Sequence, residues 1–60
     1  MNQYEEFRQR MEAAETREDL VEVYREACVA SSTGKGLLPF ELLELSDLYV
    51  DICGDNGWNL

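Results

Sequence analysis

The sequence contains no histidine. That removes the side chain that most often serves as general base at neutral pH, and with it a principal metal ligand. Cysteine is scarce as well, at Cys28 and Cys53 only. A structural zinc site needs four ligands, and two thiols without imidazole do not supply them. Cofactors and metals are therefore not expected. Neither thiol has an obvious activating cation, since the nearest base in sequence is Arg25, three positions before Cys28. Carboxylates do pair along the chain at Glu41/Glu44 and Asp47/Asp51, but on a helix face such pairs read as solvated charge. With little chain from which to build a pocket, the expectation is a protein that is not an enzyme.

Positive charge is the second shortage. Thirteen acids stand against five bases, a net charge of −8, and after Lys35 there is no basic residue. Phosphate contacts need clustered Lys and Arg, so direct nucleic-acid binding is excluded. Anionic lipid is disfavoured for the same reason. No apolar run approaches the ~20 residues that cross a bilayer. The opening "MNQYEEFRQR" has no basic-then-apolar order of a signal peptide. The expected location is the cytoplasm, where both cysteines stay reduced.

Proline occurs once and glycine four times. Low complexity and repeats are absent, and a composition 45% hydrophobic and 30% charged reads as globular. Sixty residues make a single domain, 1–60, close to the lower size limit for an unstapled core.

The apolar residues that are present recur at helical spacing. Tyr4, Phe7, Met11 and Ala14 form one narrow stripe over residues 2–14, with Glu6 and Arg10 placed to pair at i,i+4. A stripe so narrow predicts a helix lying along a groove, outside the centre of the core. Thr16 is the expected N-cap of a second helix near 17–31. Its hydroxyl is placed to accept from the Asp19 amide, and Glu18 and Asp19 suit the positive end of the dipole. Leu20, Val23, Tyr24, Ala27 and Cys28 follow on one side. "SSTGKG" at 31–36 ends that helix, with Gly34 free to turn left-handed.

Pro39 suits the first turn of a third helix near 39–53. With side chains ~100° apart, Leu42, Leu45, Tyr49, Ile52 and Cys53 share one face. Glu41 and Leu48 border it on one side, and Leu43 and Val50 extend it on the other. The remaining arc is an acidic ridge of Glu44, Asp47 and Asp51, with Phe40 emerging at the first turn. So much apolar surface marks this as the central helix, with its Leu43 flank left over. Gly54 is the expected stop, and Asp55-Asn56-Gly57 the turn after it. The fold expected is an all-α, up-down-up three-helix bundle whose C-terminal turn packs Trp58 on the core near Met11, Leu20 or Ile52. The alternative use of Trp58 is as an exposed binding anchor.

Two motif resemblances fail on spacing. "SSTGKG" holds Gly34-Lys35, but a phosphate loop needs Gly where Val29 stands and Ser or Thr where Gly36 stands. "DICGDNG" lacks the ligands of a calcium loop at its third and last positions. In an antiparallel hairpin Cys28 and Cys53 lie roughly 15 Å or more apart at 1.5 Å per residue, beyond disulfide reach.

The function expected is that of a small acidic protein-binding regulator, an inhibitor or adaptor, acting through the third helix on a protein with a basic-rimmed groove. The residues expected to bind are Phe40, Glu41, Leu43, Glu44, Asp47, Val50 and Asp51, with Trp58 as an anchor. Two alternatives share these residues. One is mimicry of nucleic acid toward a DNA-binding protein, and the other is a structural homodimer that buries the Leu43 flank.

Overall fold

A computed structural model describes residues 2–34 and 36–58, so Lys35 of the expected connector and the last two positions lie outside the described residues. Three helices follow in order: α1 (Gln3–Glu12), α2 (Arg17–Ser32) and α3 (Pro39–Asn56). Every pair of helices is in contact, and no strand occurs among the described residues. The Gln3 amide at the start of α1 lies against Gly36, just before α3. α1 and α3 therefore begin at the same end of the molecule, with α2 running back between them.

Local chemistry sets the helix starts. Asn2 Oδ1 accepts from the Glu5 amide at 2.9 Å, and Thr16 Oγ1 from the Asp19 amide at 3.1 Å. These bonds satisfy N–H groups that the first turn leaves unpaired. α3 opens differently. Its cap is Leu38, which has no side-chain acceptor, and the Glu41 carboxylate instead accepts from the Leu38 N–H at 3.0 Å. Pro39 takes the next position, where a missing N–H is harmless. Between α2 and α3 the chain turns on Gly34 at φ +68°, as expected.

The end of α3 corrects the expected boundary. Gly54 does not stop the helix; α3 runs on to Asn56, and Gly57 at φ +69° ends it. The Gly57 N–H donates to the Gly54 carbonyl at 3.3 Å and the Trp58 N–H to the Cys53 carbonyl at 2.8 Å. That pair of bonds closes a helix whose next residue is left-handed, and it swings the following side chain back over the last turn. Trp58 is accordingly half-buried and packs against the core.

The core comprises Met11, Leu20, Val23, Ala27, Leu37, Leu45 and Cys53. Tyr4, Phe7, Tyr24, Leu42, Leu48, Tyr49 and Ile52 pack around it, half-buried. The Tyr24 and Tyr49 rings meet at 5.1 Å between centroids. Two expectations need correction here, and one residue joins the core unannounced. α1 does reach the centre, because Met11 is completely buried although Tyr4 and Phe7 lie along a groove. α3 is no more central than its neighbours, since only Leu45 and Cys53 of its side chains are fully enclosed. Leu37, a connector residue outside every stripe, is 3% exposed and closes the end of the core opposite Trp58.

Arg10 also differs from expectation. Its guanidinium bridges helices, donating from Nη1 and Nη2 to the two Glu26 oxygens at 3.2 and 2.8 Å. It lies 5.7 Å from the Phe7 ring centroid, a cation–π distance. These hydrogen bonds hold the Glu26 carboxyl below the usual carboxylate range and raise Arg10 above its own. The i,i+4 ion pair on α1 is Arg8–Glu12, with Nε–Oε2 at 3.6 Å.

Candidate functional site on helix α3

α3 turns Leu45 and Cys53 inward, and at ~100° per residue the opposite side of the cylinder falls on Leu43, Asp47, Val50 and Phe40. No described residue covers that side. Leu43 is 69% exposed, Phe40 60% and Val50 50%. Glu44, Asp47 and Asp51 are exposed beside them. Six of the expected binding residues therefore share one outer face, half apolar and half acidic.

The two others lie elsewhere. Glu41 is half-buried, and its carboxylate is engaged in starting α3. Trp58 sits at the far end, folded onto the core through the turn at Gly57.

Packing adds residues that spacing did not indicate. A shallow groove separates α1 from α3 and is lined by Tyr4, Arg8, Glu44, Asp47, Leu48 and Asp51. Tyr4 and Leu48 are half-buried and give it an apolar floor. Three carboxylates stand along its α3 rim. None of them is in an ion pair among the described residues, since Arg8 is turned to Glu12. Tyr4 and Arg8 became neighbours of the ridge only when α1 docked parallel to α3. No sequence signal within α1 marks them. Leu38 and Val29, 51% and 58% exposed, are further apolar surface outside the expected set.

Cys28 is half-buried and Cys53 buried, both as free thiols. No cluster of three metal-ligating side chains occurs among the described residues. Nor is any helix there long and apolar enough to cross a membrane. The outer face of α3 can thus offer apolar contact area and unneutralised negative charge together. Compared with known proteins, the chain matches no family model, no curated protein and no solved structure.

Proposed function

We propose that this chain is a small protein-binding regulator, an inhibitor or adaptor, that docks through the outer face of α3 onto a partner with a basic-rimmed apolar groove. One observation carries the reading. Phe40, Leu43 and Val50 are more than half uncovered or close to it, directly beside Glu44, Asp47 and Asp51. Exposed apolar residues in a row are a solubility liability and mark contact surfaces. The carboxylates steer encounter with a basic rim, while the apolar row supplies contact area. The reading involves no catalysis, and it places the protein in the cytoplasm.

Nucleic-acid mimicry is less well supported, because a phosphate backbone has no counterpart to the Leu43–Val50 row. A second copy of the chain is the competing occupant, favoured by that same row. Charge opposes it, since pairing two faces that each carry Glu44, Asp47 and Asp51 brings like charges together in a partly dehydrated seam.

The test is affinity capture from the source cells, followed by titration of the purified partner. Leu43→Asp or Phe40→Asp should abolish binding with the helical circular dichroism unchanged. Glu44→Lys with Asp47→Lys should slow association and flatten its salt dependence. If both sets bind like the parent chain, the α3 face is not the docking surface.

A further inference from the structure

The row on α3 has a finer order than its exposure alone. Phe40, Leu43, Asp47, Val50 and Gly54 recur at spacings of 3, 4, 3 and 4. That is the heptad spacing by which one helix seats another. Asp47 occupies the middle of this seam and also lines the α1–α3 groove, which continues sideways to Glu44, Asp51, Leu48 and Tyr4 and has Arg8, paired with Glu12, on its α1 side. A helix lying on the seam therefore meets a carboxylate at its centre, with two more within side-chain reach and an aromatic ring beside them.

On the strength of the protein-binding reading above, we infer that the occupant is an amphipathic helix of a partner protein carrying an arginine at the centre of its apolar face, which crosses Asp47 and enters the α1–α3 groove. Charge complementarity selects a cation, because the three rim carboxylates have no ion-pair partner among the described residues. Arginine fits better than lysine. Its planar fork can engage two carboxylates at once and stack on the Tyr4 ring, and its stem lies along apolar surface. A second copy of this chain does not meet the requirement, since its own seam has an aspartate at the matching place.

The probes are two alanine-based helical peptides with leucine at i, i+3, i+10 and i+14. One carries arginine at the central i+7 position, and the other carries citrulline, its uncharged isostere. Isothermal titration at low salt should give the arginine peptide about tenfold tighter binding, the range of one charge-assisted hydrogen bond. Asp47→Asn with Asp51→Asn should erase that preference. Leu43→Ala should weaken both peptides alike. The Tyr4 ring resonances should shift with the arginine peptide only. Equal binding of the two peptides, weakened by Leu43→Ala, would leave the docking face standing and remove the arginine slot. An arginine preference that survives in the Asp47→Asn/Asp51→Asn variant would also remove it. If neither peptide binds, the docking face fails along with the slot. If sedimentation equilibrium instead finds the unaltered chain dimeric at micromolar concentration, the face belongs to a second copy and the proposal is overturned.

Discussion

At the end of α3, one residue position decides what the next side chain does. Gly57 holds φ +69°, a conformation that costs an L side chain roughly 1–2 kcal/mol. Its turn returns Trp58 to the core, so the only tryptophan in the chain is a lid over that end. Trp58→Ala should therefore cost about 2–3 kcal/mol, below the ~3–5 of a fully enclosed ring, because Trp58 is only half-buried. Urea denaturation followed by circular dichroism measures this, and an unchanged midpoint would mean the ring merely rests on the surface. Gly54 makes the opposite case. It sits inside the helix, and a Cβ built on it meets nothing within 4 Å. Gly54→Ala should stabilise the protein by about 0.5–1 kcal/mol, by restricting the unfolded chain and favouring the helix. A loss of stability there would show that the helix ends earlier than Asn56.

At the scale of the element, α3 is governed by the conflict between its two faces. The inner face behaves as a bundle helix, with Leu45 and Cys53 enclosed. The outer face would be a continuous heptad seam if Asp47 were apolar. A buried, unpaired carboxylate is costly enough to forbid a seam that leaves it without a cation. On the proposed reading, Asp47 disfavours pairing of the chain with itself. Asp47→Leu should turn a monomer at micromolar concentration into a concentration-dependent dimer, read by sedimentation equilibrium. If the variant stays monomeric, the row is too short or too curved to act as a seam. The acidic half of the face was legible from charge order alone, as was the apolar flank, because helical spacing projects residues onto angles. The groove with Tyr4 and Arg8 was not, because it depends on how α1 lies against α3.

For the molecule as a whole, net charge is the dominant long-range quantity. A charge of −8 is confined within 32 × 18 × 15 Å. At about 0.01 M salt the screening length is ~30 Å, so repulsion acts along the whole long axis; at about 0.15 M it is ~8 Å. Unfolding relieves this repulsion by spreading the charges. Moving between those two salt concentrations with sodium chloride should raise Tm by about 4–8 °C, equivalent to ~1 kcal/mol for a domain of this size. A falling Tm would mean that ion pairs such as Arg10–Glu26 outweigh the repulsion.

Helix number, helix starts and the inward faces followed from the sequence by itself. Apolar spacing, the Thr16 cap and Pro39 at the first position of α3 act over one or two turns, where covalent geometry already restricts the choices. The stop at Gly57 rather than Gly54 was decided by tertiary structure. A glycine can sit inside a helix when the chain beyond it has a core to reach, and Trp58 has one. Leu37 entered the core for a similar reason. Turning on Gly34 and Gly36 swings the connector over the open end of the bundle, and no periodic pattern records that. Arg10 chose Glu26 over Glu6 because two packed helices present a carboxylate to both guanidinium nitrogens, which a neighbour one turn away does not. Helical spacing already marked Phe40, Leu43 and Val50 as a flank apart from the inward face. The packing of α1 and α2 on the far side of α3 decided how much of that flank stays uncovered.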